Sequence, residues 1–224
     1  MKRDQEPAPS PPAGEAGDAE PAPPVWIFGY GSLVWRPGFE FTSRKVGFIR
    51  GYSRRFWQGD TFHRGSAKAP GRVVTLLEDR AACTWGVAYE VCGEQIAASL
   101  QYLNMREAVL GGYDTKLVKF HPQEKDAAEP ILALVYIATP QNPSYLGPAS
   151  EEDIAAQIIV SSGCAGHNIE YLLRLADFMR YFCPQAEDEH LFSIEEALIS
   201  ILPSLYHTEE SLEETVKIPQ KSKG

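Results

Sequence analysis

The chain has 224 residues, 44% of them hydrophobic, with a formal net charge of −9. This length and apolar share fit one globular domain with tails. The acidic balance argues against an electrostatic nucleic-acid binder, which needs clustered Lys and Arg to meet phosphates.

Residues 1–24 are rich in Pro, Ala, Gly and Glu and nearly free of large apolar side chains. Such a segment buries too little surface to offset its ordering entropy, so a disordered tail is expected. Val25 to Tyr30 is a short apolar run closed by Gly31, and reads as the first strand. Val46 to Trp57, Arg72 to Leu77, Trp85 to Val91, Leu117 to His121 and Ile131 to Thr139 read as further strands, with a turn at Pro70-Gly71. Glu94 to about Glu107 carries apolar residues at 96, 100 and 103, a helical stripe. Ser150-Glu151-Glu152-Asp153 has the pattern of a capping box opening a second helix. Asn168 to Phe182 is a third, and Leu191 to Leu202 a fourth, expected to stop at Pro203. From about residue 206 to 224 a flexible tail is expected. Strands come first and helices later, so the fold class is α+β, a curved sheet or small barrel with helices, rather than a doubly wound βαβ chain.

Four scattered cysteines include no CxxC pair, and the five histidines are isolated. Neither a disulfide scaffold nor a metal site is expected. The N-terminus has no apolar h-region and no run is long enough to span a membrane, so a cytoplasmic location is expected.

Three groups of residues could carry chemistry. Phe28-Gly29-Tyr30-Gly31-Ser32-Leu33 ends the first strand. Its glycines permit a tight turn, and successive N–H groups there can hold an anion or a polarised carbonyl oxygen. An ordinary Gly-containing turn fits the same pattern. It is neither GxGxxG nor a GxSxG elbow. Second, the stripe of Ile96, Leu100 and Leu103 continues onto Glu107, where an apolar residue would be expected. A carboxylate at a core-facing position is costly unless paired or used, and burial moves it towards a useful proton acceptor. Spacing alone equally allows a salt bridge to Arg72 or Arg106, or an earlier helix end. Third, Arg54, Arg55, His63, Arg64 and Arg72 stand with Tyr113 and Tyr145 as cationic and aromatic candidates. Arg72 opens an apolar strand and so needs a partner, for which a substrate carboxylate is one option. For Arg54, Arg55 and Arg64 a solvated face is the simpler reading.

At these residues the chain resembles the ChaC family. The resemblance is carried by WIFGYGSLVWRP (26–37), GYSRRFWQGDTFHRG (51–65), PGRVVTLLE (70–78), YLNMREAVLGGYDTK (102–116), YIATPQNPSYLGP (136–148) and GHNIEYLLRLADFM (167–179). It covers roughly residues 25–205 and is most like vertebrate members with an extended N-terminal tail. It implies the γ-glutamylcyclotransferase-like fold, a small mixed β-barrel with flanking helices. It further implies a glutathione-specific γ-glutamylcyclotransferase that releases 5-oxoproline and Cys-Gly without a cofactor. Glu107 would be the catalytic base. Phe28, Gly29, Tyr30, Gly31, Ser32 and Leu33, with Arg72, Tyr113 and Tyr145, would bind substrate. Met105 and Ser144 depart from the expected pattern, and neither carries chemistry. Two rival expectations stand beside this one: the same chemistry on other γ-glutamyl peptides or amines, and a protein partner engaged by the tails or the acidic surface.

Overall fold

In the computed structural model the described residues are 20–107, 111–124 and 129–215. Of the expected tails, 1–19 and 216–224 lie outside them, while 206–215, expected as flexible tail, belong to the last helix. Five strands close a barrel in the order β1-β3-β2-β4-β5. They are β1 (Val25–Gly29), β2 (Ser43–Asp60), β3 (Gly71–Val91), β4 (Tyr113–Pro122) and β5 (Ile131–Ala138). Neighbours are antiparallel except β1 and β5, whose short parallel pairing at Trp26–Ala133 and Ile27–Leu134 closes the ring.

The two expected strands 72–77 and 85–91 are one continuous strand. β3 pairs along nearly its whole length with β2, and its exposed middle, Glu78 to Ala81, bridges the two apolar halves. Such a polar stretch reads as a turn in sequence; here Asp79 to Ala82 form a bulge between the pairs Tyr52–Glu78 and Arg50–Cys83, and the Ser53 hydroxyl donates to Asp79 at 2.8 Å. The β2–β3 register shifts between Arg50 and Tyr52 and again between Arg55 and Gln58. Bulges bend a strand and re-aim its side chains. Here the second one precedes Gln58 and Asp60, which share a strand face.

β1 alternates as its sequence predicts. Phe28 enters the barrel core with Ile49, Leu76, Phe120 and Val135, while Ile27 points outward to Leu103 of α1 (Gln95–Glu107). Leu103 is fully buried, and Leu103→Ala is expected to cost about 2–5 kcal/mol, read as a lowered denaturation midpoint.

The remaining helices pack together in a separate cluster. α2 (Glu151–Ile159) is capped by Ser150, whose Oγ accepts from the N–H of Asp153 at 3.2 Å. α3 (Asn168–Phe182) and α4 (Glu189–Thr215) complete a cluster in which Ile154, Ile158, Leu172, Leu175, Leu191, Ile194 and Leu198 are all fully buried. Between α2 and α3 the two-residue strands β6 (Ser162–Gly163) and β7 (Gly166–His167) form a small hairpin. Pro203 does not stop α4, which runs on through it to Thr215. An interior proline deletes one N–H···O bond, and here the packed turns before it hold the helix while it propagates beyond.

Candidate active site

A cavity of about 650 Å³ opens between the end of β1, the end of α1, the tips of β2 and β3, and α3. That volume is in the range of small-molecule sites. Of the candidates from sequence, Phe28, Tyr30, Gly31, Ser32, Leu33, His63, Arg64, Glu107 and Tyr113 line it. Gly29, Arg72 and Tyr145 do not.

After β1 the chain makes a single 3-10 turn, Ser32–Val34. The N–H groups of Gly31 and Ser32 donate to no protein acceptor among the described residues. Gly31 has no room for a side chain: a Cβ there would lie 2.8 Å from the Tyr171 hydroxyl and 3.0 Å from Val74 Cγ2. The turn is held from below by Arg54. That guanidinium is 3% exposed and donates to the Tyr30 carbonyl at 2.6 Å, the Trp85 carbonyl at 3.0 Å and Asp188 at 3.0 Å. Arg54 is therefore no solvated-face residue. Its partners lie on other elements, which strand alternation does not reveal.

Glu107 is the last described residue of α1, one turn beyond Leu103. Burial is the main influence on its carboxyl and raises its pKa above the usual glutamate range. The Arg106 charge, a hydrogen bond from Tyr113 and the His63 charge oppose the rise, and Asp60 adds to it. Burial, the Glu107 charge and their hydrogen bond in turn raise the Tyr113 phenol, so it stays a donor. Arg106 joins the Glu107 carboxylate to the turn. Its Nε lies 3.6 Å from Glu107 Oε1, and its Nη2 donates to Ser32 Oγ. Behind Tyr113, Gly112 has φ +69°, and a Cβ there would strike the Asn142 backbone at 2.3 Å. Only glycine makes that approach.

Sequence reasoning missed a second set of residues. Gln58 and Asn142, 4% and 5% exposed, both line the cavity. Asn142 Oδ1 accepts from the Ser144 N–H at 2.9 Å, and its Nδ2 donates to the Gly111 carbonyl at 2.9 Å. These two backbone groups set the Asn142 amide, so Gln58 must offer it Nε2, at 3.0 Å. Gln58 Oε1 is left as a buried acceptor with no protein partner among the described residues.

Two residues on, Asp60 Oδ1 accepts from the N–H groups of Phe62, His63 and Arg64 at 2.8, 2.7 and 3.2 Å. Its Oδ2 lies 3.6 Å from His63 Nδ1. Burial works to raise the Asp60 pKa, but the His63 ring and those N–H groups together outweigh it and hold the carboxyl below its usual range. The loop it organises is tied down again by Cys164 and Ala165, which donate to the Phe62 and His63 carbonyls at 2.9 Å each. Buried Arg64 donates at 3.0 Å to both the His167 carbonyl and Glu170. His63 and Arg64 stood among the cationic candidates from sequence; a single Asp in a loop, like Gln58 and Asn142, carries no sequence signal of its own.

Arg72 is the departure from expectation. It is 7% exposed, and its guanidinium is committed to the Phe56 carbonyl at 3.0 Å, the Gly147 carbonyl at 2.9 Å and Gln157 at 2.6 Å. Its partners are two backbone carbonyls and the Gln157 side chain rather than a ligand. Arg72→Leu strands two buried carbonyls, each costing about 1–3 kcal/mol. The expected outcome is a lower melting temperature with the KM of the folded enzyme kept within about threefold of wild type, checked by calorimetry beside steady-state kinetics. Tyr145 likewise serves the framework, bridging Gln58 in the segment that runs along β2.

The family model for ChaC-like proteins matches residues 25–200. The chain is 63% identical over 206 residues, 92% of each chain, to a Mus musculus protein named glutathione-specific gamma-glutamylcyclotransferase 1. It is 65% identical over 188 residues, 84% of each chain, to the Homo sapiens protein of that name. A crystal structure of a yeast gamma-glutamylcyclotransferase specific to glutathione superposes with a TM-score of 0.68 at 29% identity, covering 80% of this chain and 99% of that one.

Proposed function

The chain belongs to the ChaC-like protein family, and from that premise we propose that it is a γ-glutamylcyclotransferase acting on glutathione, with Glu107 as the proton acceptor. The carrying observation is a partly buried carboxylate with a raised pKa, sharing one cavity with the open N–H groups of Gly31 and Ser32 and linked to their turn by Arg106.

Glutathione presents a γ-glutamyl α-ammonium, which has no lone pair. Glu107 removes a proton from it, and the freed amine attacks its own γ-carbonyl to close a five-membered ring. The attack is intramolecular, so holding the glutamyl chain in a bent conformation supplies much of the acceleration. The N–H groups of Gly31 and Ser32 meet either the developing oxyanion or the substrate's α-carboxylate; in the first role each is worth on the order of 3 kcal/mol. Tyr113, which lines the same cavity and whose phenol stays protonated, is a donor beside Glu107. Collapse expels Cys-Gly and leaves 5-oxoproline. The step uses only side chains, backbone N–H groups and the substrate's own amine.

The test is purified protein with glutathione, quantifying 5-oxoproline and Cys-Gly. A panel of other γ-glutamyl dipeptides and γ-glutamyl-amines runs beside it. Turnover of the panel with glutathione untouched would reassign the substrate. A cytosolic location accompanies the proposal: the described Cys83, Cys92, Cys164 and Cys183 are all free thiols, and no helix among the described residues is long and apolar enough to cross a membrane. The protein-partner reading rests on the acidic surface or on the tails, of which 1–19 and 216–224 fall outside the described residues.

A further inference from the structure

The reaction proposed above moves more protons than one carboxylate can hold at once. The attacking nitrogen enters as N–H₃⁺ and ends as the lactam N–H, so it gives up two. The departing nitrogen enters as an amide N–H and must gain one to leave as an amine. Glu107, carrying the first proton from the attacking nitrogen, is free to take the second only once discharged.

The cavity holds one more group suited to this traffic. His63 lines it, and 41% of its side chain is exposed. Its ring sits with Nδ1 toward Asp60 Oδ2, which leaves Nε2 without a protein partner among the described residues. A carboxylate behind an imidazole orients the ring. The 3.6 Å separation is long for a hydrogen bond, as is common before substrate tightens a site. The loop that carries it is unusually constrained for a rim segment. Asp60 caps three of its N–H groups, the β6–β7 hairpin binds two of its carbonyls, and Arg64 anchors it to α3. Gly163 sits so close that a Cβ would lie 2.5 Å from the His63 carbonyl oxygen. None of these ties uses the imidazole, which they hold in place and leave free.

We propose that His63, positioned by Asp60, is the acid that protonates the departing nitrogen while Glu107 acts on the attacking one. The inference rests on the cyclisation of glutathione proposed above. The new bond joins the α-nitrogen to the γ-carbonyl carbon, and the bond to the cysteinyl nitrogen breaks. The bonding pair stays on that nitrogen, which takes a proton from the imidazolium Nε2. Glu107 takes one proton from the attacking nitrogen before attack and, once discharged to solvent, the second as the ring closes. One of the two returns through water to the imidazole, and the other is released. Asp60 touches no reacting atom and is a positioning residue.

The experiment is His63→Ala in the full chain, assayed with glutathione in the absence and presence of added imidazole. The variant removes no backbone tie, so its melting temperature is expected to match the wild type. Its kcat is expected to fall about 10²-fold with KM kept within about threefold, and free imidazole, reaching the open rim, to restore about tenfold of the loss. His63→Gln, which fills the space, is expected to lose as much and recover nothing. A kcat within about threefold of wild type, or a loss that imidazole leaves untouched in a normally folded His63→Ala, overturns the role. A wild-type protein that releases no 5-oxoproline would overturn the cyclisation itself. Wild-type activity that Glu107→Gln abolishes and His63→Ala spares would overturn this inference alone.

Discussion

Glu107→Gln is expected to fold like the wild type and to lose turnover of glutathione by a factor of about 10³ or more, with substrate binding largely kept. Glutamine keeps the shape but accepts no proton near neutrality. The carboxyl's pKa is raised mainly by burial. Its proton is thus bound more tightly in the folded chain than in the unfolded one. Ionising it removes stability as pH rises from the ordinary glutamate pKa through the raised folded one. At neutral pH the Gln variant, free of that burden, is expected to melt at or above the wild-type temperature. The same shift sets the acid limb of the pH–rate profile. As the proposed base Glu107 would work as an anion, so kcat is expected to rise with pH through the folded pKa, above the range of a solvated glutamate. Release of 5-oxoproline by Glu107→Gln at the wild-type rate would remove Glu107 from the mechanism.

Arg54→Met is the second large effect, and it acts through structure. The guanidinium is 2% exposed on its side chain and paired with Asp188, itself 13% exposed. Removing one member of a buried pair leaves the other charge without compensation, at a cost of about 3–5 kcal/mol. For a chain of this size that lowers the melting temperature by about 10 °C. The variant also frees the Tyr30 carbonyl, which Arg54 holds at 2.6 Å. The turn carrying the Gly31 and Ser32 N–H groups loses its support, so kcat is expected to fall even below the melting transition. A variant that melts at the wild-type temperature with unchanged kcat would leave Arg54 without the supporting role assigned to it. Calorimetry and a turnover assay at low temperature separate the two consequences.

Part of this site was readable in one dimension. Glu107 stood out because a helical apolar stripe, Ile96, Leu100 and Leu103, ran into a carboxylate, and in the fold it ends the face that buries Leu103. The turn at Gly29 to Leu33 stood out because glycines punctuate a strand end. Arg54 and Arg72 were misread for a common reason. Each is judged by its partners, and those partners are remote: Asp188 lies 134 positions from Arg54, and Gly147 lies 75 from Arg72. The Pro203 stop failed because a local rule met a helix already anchored by Leu191, Ile194 and Leu198.

The amino-acid sequence by itself determined the α+β class, most of the strands and helices, and the two local signals, glycine turn and misplaced carboxylate, because periodicity and backbone freedom are properties of neighbouring residues. Only the tertiary structure decided which charges serve the cavity and which hold it together. Barrel closure and the β2 bulge bring Gln58, Asp60 and His63 to the cavity that Glu107 enters from α1, while Arg54 and Arg72 turn away to bind backbone. Glu107 began as an anomaly of spacing. Burial between these elements gives its carboxyl a raised pKa, and Arg106 ties it to the turn.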